Sequence, residues 1–156
     1  MSEIRHASVT WTGDLLTGSG MINYLSSGVV SRLPISWASR TSAHDGKTSP
    51  EELLAAAHAS CFSMALSSRL AKNGTPATTL EVRAEVTFDQ GESGWKIASS
   101  ALKVTGNVPG IDAGTFTRLA EDAKENCPIS QALKGNVALS VEASLAGTPA
   151  PELAGA

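Results

Sequence analysis

The chain has 156 residues, of which 42% are hydrophobic and 17% are charged, and its formal charge at pH 7 is −3. This size and composition are typical of one compact globular domain, and they exclude a chain that is disordered throughout. The negative charge, without any basic patch, also argues against binding to nucleic acid or to an anionic membrane.

The start of the chain and its cysteines indicate the compartment. Residues 1–6 lack the basic start and the apolar stretch of a secretory signal, and no apolar run approaches the roughly 18 residues that span a bilayer. The two cysteines, Cys61 and Cys127, are too few for a disulfide-rich scaffold and do not form a Cys-x-x-Cys metal motif. We therefore expect a cytoplasmic protein without a bound metal.

The first forty residues predict three short antiparallel strands. Short apolar runs stand between glycine-bearing turns, which is the pattern of strands joined by tight connections. The runs cover residues 7–11, 18–25 and 33–39. Arg40 follows the last run directly, so we expect it at the end of the third strand.

Residues 50–73 predict a long helix. Ser49 is a suitable N-cap, Pro50 suits the first helical position, and Glu52 completes a capping box three residues after Ser49. Gly74 stands just past the predicted end. Charged residues occur only near the two ends, so we expect the middle of this helix to be buried.

The second half of the chain predicts a hairpin, two helices and a last strand. The hairpin alternates apolar and polar residues with the period of half-buried strands, and the first helix repeats its apolar residues at helical spacing. Cys127 precedes a proline, which disfavours helical backbone there and separates the two helices. The predicted elements are strands at 80–88 and 95–104, helices at 112–126 and 129–133, and a strand at 137–145.

Together these elements predict an α+β fold in the order β-β-β-α-β-β-α-α-β, with the long helix buried against antiparallel sheets. We expect a single domain over residues 1–146 and a disordered tail over 147–156. One sheet buries only one side of a helix, so a helix this apolar needs a second element to bury its other side. We therefore expect a homodimer in which two such helices pack together.

The two cysteines and one nearby histidine are candidates for chemistry. Cys61, in the middle of the long helix, is of a residue type that usually packs as a small hydrophobe. Cys127 either caps the short helix after it, where a thiolate is favoured, or belongs to a Cys-Pro pair that only stops a helix. His58 lies three residues before Cys61 and is either a satisfied core histidine or the base of a Cys-His nucleophile.

Arg40 and Glu51 are the charged candidates. Glu51, in the first helical turn, complements the helix dipole, and it lies roughly 15 Å along the axis from Cys61. It can therefore serve that thiol only across a dimer or through a bend in the first turn. Arg40 is either a solvated charge or a cation beside Cys61, where it would lower the thiol pKa and bind a carboxylate.

Two segments of the sequence resemble the OsmC/Ohr family. Residues 48–66, TSPEELLAAAHASCFSMAL, are similar to the central-helix signature of that family. Residues 108–112 and 123–133 are similar to the segment that carries its second cysteine. The resemblance extends over residues 7–145.

The position of Arg40 before the helix resembles the OsmC-like branch more than the organic hydroperoxide resistance branch. OsmC-like chains commonly carry an aromatic residue directly after this arginine. Here Thr41 follows it, and the aromatic Trp37 stands three residues before.

The resemblance implies a thiol-dependent peroxidase of the lipoyl-dependent peroxiredoxin type. Such an enzyme reduces organic hydroperoxides, and hydrogen peroxide more weakly, and it protects against oxidative and osmotic stress. The family forms an intertwined homodimer with active sites at the interface. No bound cofactor is implied, and the co-substrate is a dithiol of the dihydrolipoamide type, free or on a lipoylated protein.

The resemblance also implies roles for four residues. Cys61 is the peroxidatic thiolate and becomes a sulfenic acid, and Cys127 resolves it as an intramolecular disulfide. Arg40 and Glu51 form an ion pair beside Cys61, in which the arginine favours the thiolate, and the glutamate holds the arginine and assists the leaving alkoxide.

Other interpretations of the same residues stay open. Cys61 and His58 could form a Cys-His acyl hydrolase, for which Cys127 would be dispensable. The chain could instead be a non-catalytic stress dimer that binds an apolar ligand, or a purely structural dimer whose cysteines do not react.

Overall fold

The computed structural model describes residues 1–147. The chain divides into two compact units, Met1–Leu53 and the residues from Leu54 onward. The single domain over 1–146 stays a prediction, and from residue 148 the expected tail lies outside the described residues.

The first unit contains a three-stranded antiparallel sheet whose strands lie side by side in chain order. The three predicted strands are confirmed, although the third is shorter than expected. The strands are β1 (Ala7–Thr12), β2 (Ser19–Leu25) and β3 (Ser31–Ile35).

A short helix, α1 (Ala38–Thr41), replaces the predicted end of the third strand. The backbone N–H of Ser39 donates to Ser36 Oγ (3.1 Å), and the N–H of Ser36 donates to Ser39 Oγ (3.2 Å). These reciprocal bonds are of the capping-box kind and start a helical turn where the strand would otherwise continue. The prediction that Arg40 ends a strand is therefore wrong, because Arg40 lies in α1.

The long helix, α2 (Pro50–Lys72), begins and ends where local signals predicted. The N–H of Glu52 donates to Ser49 Oγ at 3.2 Å, which confirms the N-cap. At the other end Gly74 has φ +78°, and the N–H groups of Gly74 and Thr75 donate to carbonyls of the last turn. Among the helices of the described residues, α2 included, none is both long enough and apolar enough to cross a membrane.

The second unit contains a mixed sheet and two further helices. Its elements are β4 (Thr79–Gly91), β5 (Gly94–Asn107), α3 (Ala113–Asn126), α4 (Pro128–Leu133) and β6 (Ala138–Leu145). β4 and β5 form the predicted antiparallel hairpin, but β6 pairs with β5 in parallel. The prediction of purely antiparallel sheets is thus wrong here. The two helices between β5 and β6 form a crossover that returns the chain to the same end of the sheet.

The core of the second unit lies under one face of α2. Along this face His58, Phe62, Leu66 and Leu70 recur every fourth residue and are fully buried. The opposite face is exposed in the single chain, with Met64 at 68% exposure. The predicted burial of the helix therefore holds for one face. The buried apolar cluster consists of Phe62, Leu66, Leu70, Leu102, Val104, Val108, Phe116, Leu119, Ala120 and Ala123.

Candidate active site

An ion pair joins Arg40 of α1 to Glu51 in the first turn of α2. Arg40 Nη2 lies 2.6 Å from Glu51 Oε1, and Arg40 Nε lies 3.1 and 3.2 Å from the two carboxylate oxygens. The Glu51 carboxylate is nearly buried, and two guanidinium nitrogens bind it. Such a forked contact fixes the plane and direction of the guanidinium, which a lysine ammonium cannot do.

An apolar cavity of about 320 Å³ borders this ion pair within the first unit. The Trp37 ring centroid lies 5.5 Å from Arg40 Cζ, which is cation–π distance. Trp37 therefore supplies an aromatic wall beside the arginine, while the Thr41 hydroxyl donates to the Trp37 carbonyl (3.2 Å). The cavity is lined by Trp11, Leu15, Ile35, Ser36, Trp37, Arg40 and Pro50.

The two cysteines, 66 positions apart in the sequence, come together in the second unit. Both are reduced, and the two thiols lie close enough that each changes the pKa of the other. Cys61 is partly exposed on α2, whereas Cys127 has no exposed surface. As predicted, Cys127 caps α4, and its Sγ accepts the Ser130 N–H at 3.5 Å.

The surroundings of the two sulfur atoms shift the two thiol pKa values in opposite directions. Burial raises the pKa of Cys61, and the neighbouring Cys127 raises it further, against one backbone hydrogen bond from Ile129. Burial also opposes charge on Cys127, but hydrogen bonds from the Ser130 N–H, the Cys61 thiol and the Ser130 hydroxyl outweigh it and lower the Cys127 pKa. Of the two thiols, Cys127 therefore loses its proton more readily than Cys61.

His58 lies fully buried between two serine hydroxyls. Its Nδ1 is 2.7 Å from Ser100 Oγ, and its Nε2 is 2.8 Å from Ser130 Oγ. Burial lowers the His58 pKa, so the imidazole stays neutral. Both ring nitrogens are occupied, so His58 is not paired with Cys61 as a Cys-His hydrolase would require. It connects to Cys127 through Ser130 instead.

Sequence reasoning missed Ser100 and Ser130. Ser130 carries a local signal, because it stands three residues after the cap Cys127, where a cap receives its hydrogen bond. Ser100 has a weaker one. It is in phase with the buried Leu102 and Val104 on β5, so it is a polar residue at a core-facing position that needs a hydrogen-bond partner.

Two pairs are thus assembled: Arg40 with Glu51 in the first unit, and Cys61 with Cys127 in the second. The first pair is a fixed cation beside an apolar cavity. The second is a partly exposed thiol next to a buried thiol that carries negative charge more readily. This is a combination in which the first sulfur can be oxidised and the second can react with it.

The amino-acid sequence is similar to those of known proteins. A family model described as "OsmC-like protein" matches residues 43–142. The Escherichia coli (strain K12) protein named Peroxiredoxin OsmC is 43% identical over 129 residues, which cover 83% of this chain and 89% of that protein. The Bacillus subtilis organic hydroperoxide resistance protein OhrA is 34% identical over 97 residues, covering 61% of this chain and 66% of OhrA.

A solved structure agrees with the sequence relatives. The crystal structure of the organic hydroperoxide resistance protein OhrB of Bacillus subtilis superimposes with a TM-score of 0.69 at 30% sequence identity. The match covers 89% of this chain and 98% of OhrB. The expected α+β fold is therefore confirmed, and the chain belongs to the family of OsmC-like proteins.

Proposed function

We propose that the protein is a thiol peroxidase that reduces organic hydroperoxides through Cys61 and Cys127. The observation that carries this proposal is the neighbouring pair of reduced cysteines, one partly exposed and one buried. Relatives named as a peroxiredoxin and as organic hydroperoxide resistance proteins support it. The cellular role that follows is protection against oxidative and osmotic stress in a reducing cytoplasm.

Cys61 is the proposed peroxidatic residue because a peroxide can reach it. Its thiolate attacks one peroxide oxygen, the O–O bond breaks, and the alkoxide leaves and takes a proton to become an alcohol. Cys61 is then a sulfenic acid. Cys127, with no exposed surface, is unsuited to this first step.

The proposed task of Arg40 and Glu51 is to make the Cys61 thiolate available. Burial and the neighbouring thiol raise the Cys61 pKa, so a nearby cation is needed to favour the charged form. We propose Arg40, which the Glu51 carboxylate holds through three hydrogen bonds, as that cation. We propose that this ion pair acts on the Cys61 of its own chain or of a partner chain.

Cys127 is the proposed resolving residue. Its thiolate attacks the sulfur of the Cys61 sulfenic acid, hydroxide leaves and is protonated to water, and a disulfide forms. A dithiol of the dihydrolipoamide type, free or on a lipoylated protein, then returns both cysteines to the thiol state. A resolving thiol this close also protects the sulfenic acid from further oxidation.

The cavity beside Arg40 supports an organic substrate. Its wall is mostly aromatic and aliphatic, so it favours a hydroperoxide with an apolar tail over hydrogen peroxide.

The exposed face of α2 supports a homodimer. Met64, at 68% exposure, lies on this face and lines a groove of about 570 Å³, and an uncovered helix face that carries a large apolar side chain is typical of an interface. The groove is lined by Ser63, Met64, Ser67, Ser68, Ala71, Ala77, Thr78, Thr79 and Leu80.

The proposal is tested by intact-mass spectrometry of reduced protein after one equivalent of cumene hydroperoxide. We expect a loss of roughly 2 Da per chain, from a disulfide that peptide mapping assigns to Cys61 and Cys127. The Cys127→Ser variant should instead gain roughly 16 Da or multiples of it at Cys61. The Cys61→Ser variant should not consume peroxide. An unchanged mass in the unsubstituted protein would disprove the function.

A further inference from the structure

The buried hydroxyls around His58 form a row that ends at the sulfur of Cys127. Ser100 Oγ contacts His58 Nδ1, His58 Nε2 contacts Ser130 Oγ, and Ser130 Oγ lies 3.5 Å from Cys127 Sγ. Ser100, His58, Ser130 and Cys127 are each at most 1% exposed. The peroxidase chemistry described above assigns no role to the first three.

The direction of these bonds depends on the charge of Cys127. A thiolate has no proton and can only accept, so the Ser130 hydroxyl donates to it. Ser130 Oγ then accepts from His58 Nε2–H, and the bare Nδ1 accepts from the Ser100 hydroxyl. Every donor in the row therefore points toward Cys127, and the Ser130 backbone N–H adds a second donor at 3.5 Å.

We propose that Ser130, oriented by His58 and Ser100, determines which sulfur leaves when the disulfide is reduced: the reductant attacks Sγ of Cys61, and Cys127 leaves. This inference rests on the proposed two-cysteine function and specifies its reductive half. Ser130 contacts the leaving sulfur directly, whereas His58 and Ser100 act through Ser130 and are positioning residues.

The step is balanced as a thiol–disulfide exchange. The reductant thiolate forms a bond to Cys61 Sγ, the Cys61–Cys127 bond breaks, and its electron pair stays on Cys127 Sγ. The new thiolate accepts the hydrogen bonds of Ser130. The second thiol of the reductant, once deprotonated, attacks the reductant sulfur of the mixed disulfide and releases the Cys61 thiolate, so that two electrons have passed from the dithiol to the two cysteines.

Access and leaving-group ability favour the same direction. Cys127 has no exposed surface in the single chain, and a second copy could only bury it further, so an incoming thiol reaches Cys61 first. In thiol–disulfide exchange the sulfur with the lower thiol pKa leaves faster. The Cys127 pKa is lowered and the Cys61 pKa is raised.

The attacked sulfur can be identified with a monothiol, which forms a mixed disulfide and cannot complete the cycle within one molecule. The disulfide is formed with diamide and treated briefly with 2-mercaptoethanol. The reaction is then quenched in acid and alkylated after unfolding, and its peptides are mapped by mass. We expect 2-mercaptoethanol on Cys61 and the alkyl group on Cys127, in at least about tenfold excess over the reverse. An equal or reversed distribution would overturn the proposal.

Variants test the part played by Ser130. Ser130→Ala should slow reduction of the disulfide by dihydrolipoamide about tenfold, since one hydrogen bond to a charged sulfur is lost. It should also raise the share of mixed disulfide on Cys127. Ser130→Thr, which keeps the hydroxyl, should restore both values. Ser140→Ala, which removes an exposed hydroxyl on β6, is the matched control and should change neither.

These outcomes separate the inference from the function on which it rests. Diamide replaces the peroxide, so the direction of reduction is measured even if the protein consumes no hydroperoxide. Wild-type kinetics and the wild-type site of attack in Ser130→Ala would overturn the role of Ser130 while leaving the peroxidase intact. If diamide forms no Cys61–Cys127 disulfide, the inference and the two-cysteine cycle both fail.

Discussion

The Glu51 carboxylate aligns Arg40, and the start of α2 does not depend on it. The N-cap of α2 is Ser49, and Glu52 already places a negative charge in the first turn. Glu51 is nevertheless nearly buried, with both oxygens within 3.2 Å of the guanidinium of Arg40. Because a buried carboxylate holds the Arg40 guanidinium in one orientation, we infer that the direction of this cation matters as well as its charge.

Replacing Arg40 by lysine tests this directional requirement. Arg40→Lys keeps the charge but loses the forked contact, so we expect oxidation of Cys61 by cumene hydroperoxide to slow about tenfold. Stopped-flow peroxide consumption in the presence of excess dithiol measures the rate. Arg5→Lys, at an exposed arginine, is the control. Equal rates for Arg40→Lys and wild type would contradict an alignment role.

His58 makes the stability of the protein depend on pH. Its pKa in the folded chain is lowered by burial from the ordinary value of 6.5, so below that pH the unfolded chain binds more protons. The free energy of unfolding should therefore fall as the pH drops below 6.5 toward the folded-state pKa. Urea unfolding at about pH 7.5 and 5.5 measures the loss.

The matched comparison uses two glutamine variants. His58→Gln should reduce this dependence on pH, whereas His44→Gln, at an exposed histidine, should leave it unchanged. A pH dependence that survives in His58→Gln would assign the effect to another group.

The helices and strands differ in how far local sequence determines them. Ser49 and Gly74 are cap residues that the sequence displays, and the two ends of α2 lie where they were expected. The parallel pairing of β6 and the bond from His58 to Ser100 join residues about forty positions apart. No local pattern encodes such contacts, because they depend on how the elements pack.

The end of the third strand is another feature that the apolar pattern of the sequence does not determine. An apolar run over 33–39 fits a strand as well as it fits a strand followed by a helical turn. The paired hydroxyls of Ser36 and Ser39 decide in favour of the turn. The sequence predicts the candidate residues Arg40, Glu51, Cys61 and Cys127 through the family resemblance, but not the serines that surround His58.

The contact between β5 and α3 leaves no room for a side chain at Gly106. A Cβ there would lie 2.6 Å from Phe116 Cζ and 3.2 Å from Val108 Cγ2, and the Phe116 ring is fully buried. Gly106→Ala should therefore lower the free energy of unfolding by about 1–3 kcal/mol. Gly91→Ala, whose Cβ would have its nearest neighbour at 3.8 Å, is the control in a urea titration. Equal effects of the two substitutions would show that packing against Phe116 is not the cause.

Assembly into a homodimer is the proposal that the exposed face of α2 supports. Size-exclusion chromatography with light scattering should give a dimer at micromolar concentration. Met64→Asp would place a charge on this face and should shift the protein toward monomer. Val29→Asp, at an exposed apolar residue of the first unit, should leave the dimer unchanged. A wild-type monomer would contradict the proposal.

Closing the bond between Cys61 and Cys127 would also change the unfolded chain. The two residues are 66 positions apart, and the loop between them contains the β4–β5 hairpin and α3. A disulfide that closes a loop of this length lowers the conformational entropy of the unfolded chain and so raises the free energy of unfolding by roughly 4 kcal/mol. The oxidised protein should therefore unfold at a higher urea concentration than the reduced protein. By linkage, folding favours oxidation by the same amount, and the reductant must supply that free energy in every turnover. The protein would thus be most resistant to unfolding during oxidative stress, before its reductant has acted.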